Sequence, residues 1–313
     1  MSGLWRAAPR GRATPAPHAT FDAVAQSSAA VVIGAYSTSF GLATRLLAQP
    51  VRDHVRSVYA LVRVADELVD APRPGQDAAA RAGLLATLED ETATALASGS
   101  SSNLVVHAFA RTARTVGIDG ALVDPFFASM RADLDPERHD DASLSRYVHG
   151  SAEVVGLMCL RAFLADEPDR EARYDALAPG ARRLGSAFQK VNFVRDLADD
   201  ADRLDRHYLP GTEPADLDDA RRDELLDDVD AGLAAAALVV PALPRGSRLA
   251  VCAAHDLFAA LSTRLRATPA AELRQRRVRV PTPAKAALLA RAGSRRGRPT
   301  PPGAPGGPSA QRG

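Results

Sequence analysis

Four aspartates indicate the chemistry this chain is equipped for. Asp66 and Asp70 stand four residues apart in one segment, and Asp196 and Asp200 repeat that spacing in another. Residues four apart on a helix share a face, with Cβ atoms roughly 5–6 Å apart, so each pair can share a hard cation. Arg63 precedes the first pair, Arg195 precedes the second, and Arg206 and Tyr208 follow it. Magnesium suits such sites, because it takes carboxylate oxygens, keeps several waters and bridges to phosphate. No Cys or His spacing suggests zinc, and nothing matches the G-x-x-x-x-G-K-[ST] phosphate loop.

The segments that carry these residues read as helices with unusual charge placement. In 51–70, Val58, Val62, Ala65 and Val69 form an apolar stripe; Tyr59, Arg63, Asp66 and Asp70 repeat its spacing one residue later. Leu61 and Leu68 cover the other flank, so the charged strip has apolar residues on both sides. A carboxylate pair in that setting is costly unless a cation compensates it. One such pair fits an ordinary solvated helix face equally well, and the second copy argues against that. In 185–200, Phe188, Val191, Phe193, Val194 and Leu197 make most of the surface apolar, while Gln189, Asn192, Asp196 and Asp200 share one sector. Two such helices facing each other would enclose a cavity with acids on opposing walls. A third strip, Tyr147, Ser151, Val154/Val155 and Met158, is polar without being acidic, and Gly150 and Gly156 permit close helix approach. By itself Tyr147 reads as a core or rim tyrosine.

The rest of the chain supplies the scaffold. From Phe21 to about Ala292 the patterning is helical, rich in Ala, Leu, Arg, Glu and Asp, with no bounded alternating run. Breakers such as Pro50, Pro125, Pro136, Pro179-Gly180, Pro210-Gly211, Pro241 and Pro281 divide it into about ten helices. The expectation is an all-α, single-domain helical bundle over 21–292, with disordered tails at 1–20 and 293–313. Lys plus Arg number 39 and Asp plus Glu 38, a net +1 that gives no field to attract a nucleic-acid backbone. Cys159 and Cys252 sit in apolar helical context, which fits a reduced cytoplasmic compartment. The longest apolar stretch, Leu233 to Leu243, is interrupted by Pro241 and falls short of the roughly 20 residues a span needs. An oily substrate would then be met by peripheral contact with a membrane.

In order along the chain, four motifs resemble those of the squalene/phytoene synthase family. Tyr36-Ser-Thr-Ser-Phe40 with Ala43-Thr-Arg-Leu-Leu47 is similar to its N-terminal signature, and Tyr59 to Asp70 to its first aspartate-rich motif. Tyr147-Val-His-Gly-Ser-Ala-Glu-Val-Val-Gly156 resembles its "YCxGVAGxVG" segment. Gln189 to Asp200, then Arg206-His-Tyr-Leu-Pro210, resembles the second aspartate-rich motif and its "R-x-YLP" tail. Departures are Lys190-Val191 in place of Leu-Thr, Glu153 in place of a small glycine, and Ala48-Gln49 before Pro50.

The resemblance implies head-to-head joining of two prenyl diphosphates in one helical cavity. Asp66, Asp70, Asp196 and Asp200, with Asn192 as a neutral ligand, would hold magnesium, with manganese as an alternative ion. Arg63, Arg195 and Arg206 would meet phosphate oxygens. Tyr59, Tyr208, Ser37 and Ser39 would donate hydrogen bonds near the mouth, and Gln189 would join the substrate-binding strip. Phe40 and Thr44, four apart, would point toward the hydrocarbon, and Tyr147 would stabilise positive charge or assist proton loss. The resemblance and a short polar C-terminus favour two geranylgeranyl diphosphates going to phytoene, without nicotinamide. The missing dinucleotide fingerprint weighs little, because reductive relatives bind the nucleotide without one. The alternatives are a squalene or dehydrosqualene synthase using farnesyl diphosphate, a catalytically silent helical scaffold or assembly factor, and a helical metal-dependent phosphohydrolase.

Overall fold

Apolar residues at helical spacing, punctuated by Asp, Asn and Gly, dictate where the helices begin and end. Side chains of Asp77, Asn103, Asp119, Asp140 and Asp218 each accept a backbone N–H at a helix start, which satisfies donors that the first turn leaves unpaired. A computed structural model of the chain describes residues 18–37, 39–71, 73–134, 139–204, 206, 208–294 and 298–299. Within these, the side chains at 39, 198–204 and 214 lie outside the description.

The helices are α1 (Ala19–Tyr36), α2 (Ser39–Thr44), α3 (Val51–Asp70), α4 (Ala78–Ser98), α5 (Leu104–Val116), α6 (Gly120–Ala132) and α7 (Asp141–Val148). After a π-helical turn at His149–Glu153 come α8 (Val154–Phe163), α9 (Arg170–Leu204), α10 (Asp219–Val239), α11 (Arg245–Arg266), α12 (Ala270–Leu273) and α13 (Thr282–Ser294). The described residues contain no strand, so the fold is all-α. None of their helices is long and apolar enough to cross a membrane.

Two helices organise the interior. α3 buries Val55, Val58, Leu61, Ala65 and Val69 in a core with Phe109, Phe126, Phe127 and Met158. α9 buries Val191 and Val194 against Leu226, Val229 and Leu233 of α10. The apolar stripes read in the sequence are therefore the faces these helices turn inward.

Three local features depart from the sequence expectation. Pro125 lies inside α6 and Pro179 inside α9, and neither ends its helix. Each proline removes a backbone donor, yet packing on both sides holds the segment helical; a Cβ on Gly180 would collide with Val239 of α10. The polar third strip contains a π-helical turn where a regular helix was expected. Gly150 there lets the backbone press on the carbonyl of Pro125 in α6, a place any Cβ would block. Of the expected breakers, Pro136 lies outside the described residues.

Candidate active site

An apolar cavity of about 230 Å³ lies between α2, the π-helical turn, α8, α9, α10 and α11. Phe40 and Thr44 of α2 line it, as do Ser151 and Ala152 of the π turn and Phe188 and Gln189 of α9. Phe40 stacks on Tyr59 of α3 at 5.7 Å between ring centroids, and Tyr59 lies one turn before Arg63. Gln189 likewise lies one turn before Asn192. Gln189 thus ties the α9 strip to the cavity lining directly, and the Phe40–Tyr59 stack ties the α3 strip to it at one remove.

The α3 wall is a dense charge network. Arg63 pairs with Asp66 and Glu67 and lies over the Tyr36 ring at 4.5 Å. Burial raises the Asp66 carboxyl to about 7, helped by the charge of Asp70 and opposed by Arg63. A third of its side chain is still accessible. Asp70 receives Arg206, which arrives from beyond the end of α9. Arg206 is only 8% exposed, and it also donates to the carbonyls of Val69 (3.2 Å) and Asp133 (3.0 Å). Burial acts to depress the Arg206 pKa, but Asp133, Tyr208 and Asp70 carry it above its usual value.

Asp133 is the hub that sequence reading missed. It is 4% exposed, accepts from the hydroxyls of Tyr147 (3.0 Å) and Tyr208 (2.7 Å), and sits 3.8 Å from Arg206. Burial raises its carboxyl to about 6 against the pull of Arg206. Tyr147 and Tyr208 are buried with their phenols pushed well above 10, first by burial and then by Asp133. Tyr208 stacks on Phe193 of α9 at 4.5 Å. Asp133 falls one residue beyond α6, and Pro136 separates it from Glu137, so the local sequence does not mark it as one of a helical pair.

The α9 wall is held differently. Asp196 is paired with Arg195 of its own helix (2.8 Å) and with Arg277 (2.7 Å), a second residue the sequence did not suggest. The Asn192 side-chain oxygen is buried and has no hydrogen-bond partner among the described residues. Leaving such an acceptor unpaired costs about 1–3 kcal/mol, so its presence here fits a cation ligand. Among the described residues no group of three His, Cys, Asp or Glu is preassembled to hold a metal. Asp200 lies on the same helix, but its side chain is outside the description, as is that of Ser39.

The remaining candidates have structural partners. Ser37 accepts from the backbone N–H of Phe40 (3.1 Å) and Gly41 (3.2 Å), capping α2, and hydrogen-bonds with Tyr59. Burial raises the Tyr59 phenol against the effect of Arg63. Thr44 is buried, donates to the Gly41 carbonyl at 2.9 Å and faces the cavity. Cys159 also lines the cavity, its thiol raised to about 12 by burial.

The squalene/phytoene synthase family model matches residues 33–284. The chain belongs to the squalene/phytoene synthase family. A family member from Paracoccus sp., named 15-cis-phytoene synthase, is 30% identical over 82% of this chain and 86% of its own. Another from Rhodopseudomonas palustris, named presqualene diphosphate synthase, is 29% identical over 62% of this chain and 63% of its own. The chain thus spans less than two thirds of the length of that relative. In fold, the chain is similar to the crystal structure of a dehydrosqualene synthase in complex with a ligand. That match has a TM-score of 0.74 and 20% identity, covering 90% of this chain and 99% of the other.

Proposed function

We propose that this chain joins two geranylgeranyl diphosphates head to head, through prephytoene diphosphate, to give phytoene and diphosphate in carotenoid biosynthesis. One observation carries the reading: Gln189 of the α9 strip, Phe40 stacked on Tyr59 of the α3 strip, and small Thr44 all line a single apolar cavity. The similarity to the Paracoccus protein named 15-cis-phytoene synthase, over most of both chains, supports the longer substrate.

Asp66, Asp70, Asn192, Asp196 and Asp200 would hold magnesium, whose chemistry is to neutralise the diphosphate charge so that it can depart. Arg195 and Arg277 bind Asp196. With the carboxylate turned to a cation, they are free to meet phosphate oxygens. Arg206 is enclosed by Asp70 and Asp133, so its part is to position the α3 wall. The hydrocarbon tails lie in the cavity, whose apolar lining keeps water from allylic cations. Tyr147 stays neutral with its hydroxyl donated to Asp133, so it serves as an oriented dipole and leaves proton removal to the released diphosphate. No nicotinamide is required, because phytoene forms by proton loss.

The relative named presqualene diphosphate synthase favours a second reading, with two farnesyl diphosphates as substrates. Incubation with each diphosphate and magnesium, with and without reduced nicotinamide, followed by product mass and ultraviolet spectrum, separates the two. A forty-carbon hydrocarbon with a conjugated-triene spectrum, formed regardless of nicotinamide, is expected. A thirty-carbon product at higher kcat/KM replaces the first reading by the second.

A further inference from the structure

The π-helical turn His149–Glu153 is a thin partition. Ser151 and Ala152 face the apolar cavity, whereas His149 and Glu153 line a second cleft of about 810 Å³ on the other side. The two cavities share no lining residue. The floor of the cleft includes Pro125, Ala128 and Ala132 of α6, and its rim carries Arg146 of α7 and Arg182 of α9. Its volume lies within the range of small-molecule sites, roughly 300–1,000 Å³.

The rim contains an unresolved hydrogen-bonding conflict. Nδ1 of His149 lies 3.0 Å from a Glu153 carboxylate oxygen and 3.2 Å from an Arg182 guanidinium nitrogen. One ring nitrogen cannot donate to the carboxylate and accept from the guanidinium at once. Donation to the charged carboxylate is the stronger bond, and it leaves Arg182 only a looser approach to Glu153 at 3.6 Å. Arg146 is exposed, and its guanidinium makes no hydrogen bond or ion pair among the described residues. Two arginine forks, one facing only the charge of Asp140 and one poorly matched, thus line one cleft beside a glutamate that accepts from His149. An acceptor with several oxygens would answer both.

We infer that this cleft binds a phosphate-bearing small molecule, with its anionic group between Arg146 and Arg182 and its body over Pro125, Ala128 and Ala132. His149 donates to the Glu153 oxygen that Arg182 approaches only to 3.6 Å, so the glutamate holds Arg182 loosely. Glu153 stands where the related motif has a small glycine, so the clamp belongs to this chain's own sequence.

The probe is inorganic diphosphate, titrated calorimetrically into the full chain with a chelator present, so that no cation recruits it to the aspartates. Wild type should bind, and Arg146→Gln and Arg182→Gln should each weaken binding about tenfold or more, with helical circular dichroism unchanged. Arg195→Gln, on the catalytic wall, should leave this affinity as in wild type. Absence of binding, wild-type affinity in either cleft variant, or loss confined to Arg195→Gln would each overturn the inference. None of these outcomes bears on which prenyl diphosphate the enzyme uses.

Discussion

The two acid walls look alike in sequence and are built unlike each other. On α3, Asp70 is braced by Arg206, itself buried against Asp133 and Tyr208. On α9, Asp196 at 17% exposure is held by Arg195 at 22% and by Arg277 at 39%. The contrast with α3 lies in the arginines, 8% for Arg206 against 39% for Arg277. A buried pair loses several kcal/mol when one partner is removed, because the other charge is left stranded. An exposed pair contributes about 0–1 kcal/mol and exchanges partners easily. The same Asp-x-x-x-Asp pattern therefore marks a fixed wall on one side and an adaptable wall on the other. Adaptability suits the side where arginines must move from carboxylate to phosphate.

The largest effect tests whether both walls are needed. Asp66→Asn and Asp196→Asn should each lower kcat by roughly a thousandfold, since losing a ligand charge removes several kcal/mol of stabilisation at 1.36 kcal/mol per decade. Steady-state assays at saturating magnesium check this, and near-normal turnover in either variant removes that wall from the mechanism.

Next, Arg206→Met should destabilise the fold by about 3–5 kcal/mol, whereas Arg277→Met should cost less than about 1 kcal/mol. Denaturant unfolding of both variants measures the contrast directly. Equal losses would mean that the two walls are equally rigid.

A smaller effect follows from Asp133. Its folded pKa of about 6 lies above the ordinary 3.8, so the folded chain holds this proton more tightly than the unfolded chain. The resulting stabilisation is complete below about pH 4 and is lost as the pH rises through about 6, amounting to roughly 2–3 kcal/mol. The stability advantage of wild type over Asp133→Asn should shrink by that amount between about pH 4 and about pH 7. A pH-independent difference would show that Asp133 is not the buried, titrating hub of the α3 wall.

The smallest effect concerns the cavity below the walls. Thr44→Phe would fill depth equal to a few methylenes, each worth roughly 0.8 kcal/mol of binding. Preference should move about tenfold toward fifteen-carbon diphosphate while magnesium dependence is kept. The ratio of kcat/KM for the two substrates is the readout, and no change would remove Thr44 from the tail-binding surface.

Much of this was legible in the sequence because helical periodicity is a local property. Val58, Ala65 and Val69 on α3, and Val191 and Val194 on α9, fall on buried faces as their spacing predicts. The placement of Asp66, Asp70 and Asn192 beside those faces was equally readable, since each lies at a fixed angle from its apolar neighbours. Local reading failed where partners come from distant segments. Asp133 is a single carboxylate past a helix end, and only the meeting of α3, α7 and the segment after α9 makes it a hub. Pro179 reads as a breaker, yet packing of α9 on α10 carries the helix through it. The sequence by itself determined the helices, their inward faces and the paired aspartates, because i, i+3 and i+4 relations need no knowledge of the rest of the chain. Only the tertiary structure decided which arginine each carboxylate meets and how deeply, because burial and charge pairing depend on contacts such as Arg206 with Asp70, 136 residues apart.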